Sequence, residues 1–294
     1  MAATTTVAPE GAGGAVGYRP QRTFGFGTEL RRQLSRRRTQ FALGFMVLLP
    51  VIILLAFEFG GDPNSNERDS QFSSLVKVAT SGGLNFALFT LLVSSSFLLV
   101  VVVALFCGDT IASEASWGSL RYLLAIPVPR GRLLGIKLLV AFTSCAAALV
   151  LLTGTALALG TARYGWHPMS STIAGDLPPG TGLLRLVEIV GYLAVTLIVV
   201  AGLAFLLSVS TDAPLGAVGG AVLLIIVSNI LDQITALGGV RDYLPTHFSG
   251  AWLGLLSNPV QTDGIVKGSV SALIYGVLFF GLAWRRFTRK DVTS

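Results

Sequence analysis

Residues 84–107 read LNFALFTLLVSSSFLLVVVVALFC. The run contains no Asp, Glu, Lys or Arg. It is longer than the roughly 20 apolar residues that a helix needs to cross the hydrocarbon of a bilayer. The stretch therefore predicts a membrane span. Working outward, comparable runs lie at 41–59, 138–159, 189–208, 215–231 and 268–284. The last two are the shortest, and Ser210-Thr211-Asp212-Ala213-Pro214 reads as the tight turn of a helical hairpin between the fourth and fifth spans. Composition agrees: 52% of the 294 residues are hydrophobic and 12% charged, about half the charged fraction of a soluble domain. The expected fold class is an all-α integral membrane protein of six transmembrane helices.

Lysine and arginine set the orientation. With the N-terminus in the cytoplasm, 15 of the 21 basic residues fall inside. The expectation is a multi-pass protein of the cell membrane with both termini cytoplasmic. The net charge of +6 is then topology rather than a nucleic-acid footprint. Trp117, Trp166, Trp252 and Trp284 all fall near expected interfaces, where amphipathic rings sit well. Outer loops are expected at 60–83, 160–188 and 232–267. In the last, Trp252, Leu253, Leu255 and Leu256 predict short helices dipping into the outer interface. Ala-, Gly-, Val- and Leu-rich usage fits a bacterial source with a GC-rich genome.

Residues 1–27 are rich in Ala, Thr and Gly without periodicity and read as a disordered cytoplasmic tail; residues 28–294 read as one transmembrane domain. Within it, Leu30 and Leu34 stand one turn apart among Arg31, Arg32, Arg36, Arg37 and Arg38. This predicts an amphipathic interfacial helix over 28–38 on an anionic leaflet; a plain stop-charge cluster before the first span is the alternative. The first span is not followed by an A-x-A-like site, so it reads as an anchor rather than a secretory signal.

Catalytic motifs are sparse. There is no G-x-x-x-x-G-K-[ST] phosphate loop, no H-E-x-x-H and no G-x-S-x-G elbow. No enzymatic activity, resident metal or bound cofactor is expected of the chain itself. Cys107 and Cys145 read as small buried hydrophobes. Glu58, Lys137 and Asp232 stand at span ends. Glu188, the deepest acid, has Arg185 three residues before it, which predicts an i,i+3 pair near the outer surface. Gly216 and Gly220 form a G-x-x-x-G pattern, expected to serve helix packing.

The informative connection is GDTIASEASWGSLRYLLAIPVPRGRLLGIK, residues 108–137. It is long for a bundle loop. Leu120, Leu123 and Leu124 make a short apolar face, Pro127 and Pro129 stop the helix, and Glu114 and Arg121 stand two turns apart. That pattern predicts a short rigid helix below the membrane, a docking device. An ordinary juxtamembrane loop under the positive-inside rule is the plain alternative.

In its order and spacing the string Glu114, Gly118-Ser119-Leu120-Arg121, Leu123-Leu124, Pro127-Val128-Pro129-Arg130, Leu133-Leu134 and Lys137 resembles the signature loop of type-2 ABC transporter permeases. The resemblance extends over nearly the whole chain: a basic interfacial helix, six spans, both termini inside, and a helical excursion before the last span. It implies that the loop holds a cytoplasmic coupling helix docking on a separate ATP-binding subunit. It further implies that Glu114, Gly118, Leu120, Arg121, Pro127, Arg130 and Lys137 couple the two, with ATP and magnesium bound by that partner. Pro129 departs from the Ser or Thr frequent in the family, which stiffens the turn.

The implied function is the permease subunit of an ABC exporter, working as a dimer with a second copy or a related permease, embedded in membrane lipid. Its cargo would be a hydrophobic or amphipathic solute such as a drug or antibiotic, which would make it a multidrug-resistance protein. Two rivals are an ion- or proton-coupled carrier working through Glu188, and a non-transporting membrane scaffold or assembly factor.

Overall fold

The structure, a computed structural model, describes residues 25–59, 70–118, 129–171 and 175–289. Among these, the chain forms helices α1 (Phe26–Leu34), α2 (Arg37–Phe59), α3 (Ser70–Ala79), α4 (Gly83–Ser95), α5 (Leu98–Ser116) and α6 (Arg130–Tyr164). A small antiparallel ribbon, β1 (Met169–Ser171) with β2 (Gly175–Leu177), leads into α7 (Pro179–Ser210) and α8 (Pro214–Gln233). Two 3-10 segments, Thr235–Tyr243 and Ala251–Leu256, precede α9 (Asp263–Arg289). Six helices (α2, α5, α6, α7, α8 and α9) are long and apolar enough to cross a membrane. The expected all-α class holds, with the three-residue strands as its one local departure.

Proline and glycine punctuate the helices as their backbone chemistry requires. Pro179 and Pro214 open α7 and α8 at the first helical position, where a missing N–H costs nothing. Trp117 ends α5, and Gly118 then adopts φ +68°, the left-handed conformation that closes a helix. The bundle is ordered around α7, which packs along α9 and α5; α6 receives α4 and α2, and α8 lies against α5 and α7. Two apolar clusters fill it. One gathers Phe86, Leu91, Leu99, Phe106, Leu152 and Trp252; the other gathers Cys107, Ile111 and Leu134 with Phe205 and Ala221.

Several expectations need correction. The span expected at 84–107 is two helices, α4 and α5, broken at Ser96–Phe97. Around the break Ser94 and Ser95 donate to the carbonyls of Thr90 and Leu92, the back-bonding that bends helices, and Phe97 leaves helical geometry at φ −132°, ψ −58°. Then α5 runs on to Ser116 and α6 begins at Arg130, so both ends of the expected inner loop are helix. The third and fourth spans are also longer than 138–159 and 189–208, reaching Arg130–Tyr164 and Pro179–Ser210.

The interfacial helix is Phe26–Leu34 rather than 28–38; Arg36 lies in the break and Arg37 and Arg38 begin α2. Its buried side is polar, Glu29 and Gln33, while Phe26 and Leu34 face outward. Of the expected tail, residues 1–24 lie outside the described residues, whereas Phe26 and Gly27 are already helical.

The short helical segments expected there form as Thr235–Tyr243 and Ala251–Leu256, and Trp252, Leu255 and Leu256 are buried in a segment that packs on α7 and α9. Trp117, Trp166 and Trp284 are exposed. Gly216 faces outward, and its missing Cβ would meet only Ala213 of the preceding turn. The buried small residues of α8 are Ala217 and Ala221, one position on from the G-x-x-x-G pair. Gly220 does approach Leu207, but a tighter glycine approach to α8 is made by Gly108 of α5 against Val218.

A buried ionic cluster as the candidate functional site

The end of the bundle that holds α1, the start of α2 and α6, and the last turns of α5 is built around charge. Glu114 and Asp109 are buried on α5, and Lys137 is buried on α6. Asp109 and Glu114 follow an apolar helix into the protein because four cations meet them there. Lys137 Nζ donates to Glu29 Oε1 at 2.8 Å and to Glu114 Oε1 at 3.2 Å. The same Glu114 oxygen lies 2.9 Å from Arg32 Nη2 and 3.0 Å from Arg36 Nη2. Arg36 Nη1 reaches Asp109 Oδ2 at 3.2 Å and Ser113 Oγ at 3.3 Å, and Arg38 Nη1 pairs with Asp109 Oδ1. Trp117 lies under both guanidinium groups, 5.5 Å from Arg36 and 5.7 Å from Arg38, a cation–π arrangement.

Taking such charges out of water costs several kcal/mol per ion, on the order of what their mutual attraction returns. The cluster is therefore better understood as a specifier of geometry than as a source of stability. It fixes four elements to one another: α1 through Glu29 and Arg32, the α1–α2 break through Arg36, α5 through Asp109 and Glu114, and α6 through Lys137. A further link is neutral. Ser208 on α7 accepts hydrogen bonds from the backbone N–H of Ile111 and Ala112, both at 3.0 Å. That side chain supplies acceptors where α5 carries Asp109 and Thr110, and it ties α7 to the cluster.

Of the residues singled out in the sequence, Glu114 and Lys137 are brought together in this cluster. Gly118 ends α5, and Arg130 is exposed at the start of α6, its Nη1 donating to the carbonyl of Thr288 on α9 at 3.3 Å. Leu120, Arg121 and Pro127 lie outside the described residues. Arg32, Arg36 and Arg38 turn inward to carboxylates instead of lying on a leaflet surface, while Arg31 and Arg37 stay exposed. The pair Arg185–Glu188 forms as expected at 2.7 Å, and Cys107 and Cys145 are free thiols.

Sequence reasoning missed Glu29, Asp109, Ser113 and Ser208. The available signal was Ile111-Ala112 between Asp109 and Glu114: an apolar pair flanked by acids continues a helix better than it starts a solvated loop.

A family model described as "Protein of unknown function (DUF2705)" matches residues 47–293. That range includes the α5 and α6 part of the cluster and begins after its α1 part and Arg36 and Arg38. No curated protein matches the chain.

Proposed function

The chain belongs to the DUF2705 family, and we propose that it is the membrane subunit of an ATP-driven exporter, of the type-2 ABC permease kind. The observation that supports this reading is the bracing of both feet of the 117–129 connection. Glu114 stands just before it and Lys137 just after it, and the two are bonded to each other, to α1 and to the α1–α2 break. A force applied to that connection is delivered to α1, α2, α5 and α6 together rather than dissipated in one loop. This is what a coupling element must do, because a partner's motion is useful only if a rigid body receives it.

In this reading Glu114 and Lys137 are positioning residues that never touch the ATPase. The contact surface is Trp117, Gly118, Leu120, Arg121, Pro127 and Arg130, and the ionic cluster marks the cytoplasmic end, with both termini on that side. ATP and magnesium bind the partner subunit. A second permease copy completes the path, and outward-facing apolar residues such as Leu48, Leu223 and Val277 are available to lipid and to that copy. A hydrophobic or amphipathic cargo, such as a drug or antibiotic, suits such a path.

The test is purification of the tagged full chain from its native membrane in mild detergent, with partners identified by mass spectrometry. The expected result is an ATP-binding subunit in near-stoichiometric amount, lost from the Trp117→Ala/Arg130→Glu double variant while the chain itself still folds. Recovery of the chain without any ATPase in digitonin, dodecyl maltoside and polymer nanodiscs alike would overturn the reading, leaving a carrier or a scaffold.

A further inference from the structure

At the end of the bundle opposite the ionic cluster, α3, α4, β1 and the Ala251–Leu256 segment line a partly open cavity of about 120 Å³. Its wall is largely apolar, formed by Val78, Leu88, Phe89, Leu92 and Trp252, and its two polar lining residues are Asn85 and Ser170. Asn85 is 2% exposed. Its amide Nδ2 donates to Ser81 Oγ at 2.5 Å, and its carbonyl Oδ1 is buried with no hydrogen-bond partner.

The orientation of this amide is fixed by its neighbour. Ser81 has one proton, which it donates to the carbonyl of Val78 at 2.7 Å. The hydroxyl can therefore only accept from Asn85, so the NH2 group must face Ser81 and Oδ1 must face away. A buried carbonyl left unanswered costs on the order of the hydrogen bond it lacks, and neither Ser170 nor any apolar lining residue bonds to it.

We propose that this cavity is a binding site for a small apolar molecule bearing a single hydrogen-bond donor, a ring-sized alcohol, phenol or amine whose donor meets Asn85 Oδ1. The volume suits one ring, since cavities of about 150 Å³ lined by aliphatic and aromatic side chains accept benzene. The polarity of the wall selects for the rest: an apolar body against the leucines and Trp252, and a donor rather than an acceptor at Asn85. The inference is independent of the exporter reading, because the cavity lies within one chain and none of its lining residues belongs to the ionic cluster.

The experiment uses the purified full chain in phosphatidylcholine nanodiscs, with empty nanodiscs correcting for partition into lipid. Binding of 4-fluorophenol and of fluorobenzene is followed by 19F NMR. Saturable binding of the phenol is expected, about tenfold tighter than fluorobenzene, a ratio in the range of one buried hydrogen bond. Asn85→Leu should remove that preference and keep fluorobenzene binding. Leu88→Phe, which fills the cavity, should abolish both.

Ser81→Ala provides an independent readout at an exposed position, so folding is not at stake. With its fixed acceptor gone the amide is free to turn, and 4-fluoroacetophenone, which only accepts, should bind where it does not bind the parent chain. Equal affinity for phenol and fluorobenzene in the parent overturns the proposal. So does phenol preference that survives Asn85→Leu, or an absence of saturable binding that leaves water as the cavity's occupant.

Discussion

Lys137 Nζ lies 3.2 Å from Glu114 Oε1 across 23 positions of sequence, both side chains buried. The bond ties α5 to α6 on either side of the 117–129 connection. Glu114 is the more heavily engaged partner, since Arg32 and Arg36 lie on the same oxygen.

That imbalance predicts unequal costs. Among the described residues, Arg32, Arg36, Arg38 and Lys137 pair with the three carboxylates of Glu29, Asp109 and Glu114. Glu114→Gln leaves four cations against two carboxylates and should destabilise the chain by roughly 3–5 kcal/mol, the cost of an uncompensated buried charge. Lys137→Met leaves three against three and should cost less than half of that. Reversible unfolding in mixed micelles measures both, and equal losses would show that the cluster is not charge-limited.

Ser208 makes a second prediction. Its hydroxyl is the acceptor for the N–H groups of Ile111 and Ala112. Ser208→Ala leaves both donors buried without that partner, at about 1–3 kcal/mol for each group left unsatisfied. Hydrogen exchange at those two amides should accelerate at least tenfold, with Leu99 to Val103 on the same helix unchanged. An exchange pattern identical to the parent would mean that α5 closes its own ladder there.

How much of this was legible in the sequence depended on the range of the signal. The spans were legible because each needs only its own twenty or so apolar residues. The extension of α5 to Ser116 was not, because Asp109 and Glu114 read locally as the start of a solvated loop. What buries them is Arg36, Arg38 and Lys137, of which the first two are more than 70 positions away. The protein cover over Trp252 was not legible for another reason: lipid and protein interior are equally apolar, so a cluster of tryptophan and leucine cannot say which of them covers it. Gly216 against Ala217 shows the same limit at finer scale, where one residue of rotation decides which face of α8 is buried.

Glycine positions can be ranked by what a methyl group would strike. At Gly83 a Cβ would stand 2.6 Å from the backbone nitrogen of Thr161 and 2.7 Å from its Cα. Gly83→Ala must therefore push α4 off α6, and a loss of about 2 kcal/mol or more is expected from overpacking. Gly216→Ala meets only Ala213 at 3.6 Å, and its gain in helix propensity should leave stability unchanged or raise it by up to about 1 kcal/mol. The comparison is made on the monomeric chain in detergent, where a Gly216→Ala loss as large as that of Gly83→Ala would contradict the packing described.

The far end of the bundle has its own clasp. His247 Nδ1 lies 2.5 Å from Asp232 Oδ1, its Nε2 lies 3.3 Å from Asp242, and Arg241 Nε stands 3.7 Å from the same Asp232 oxygen. Asp232 at the end of α8 thus holds the segment that follows, while Tyr192 on α7 separately donates to the carbonyl of Phe248 at 2.6 Å. Asp232→Asn keeps the shape but removes the charge, which should cost about 1–2 kcal/mol, the scale of a hydrogen bond to an ionised group. Local opening should rise in proportion, so amides of residues 235–247 are expected to exchange roughly tenfold faster. Because Asp232 shares no partner with the ionic cluster, the effects of Asp232→Asn and Lys137→Met should add. An unchanged exchange rate over 235–247 would transfer the anchoring of that segment to Tyr192 alone, and Tyr192→Phe would then be the variant that frees it.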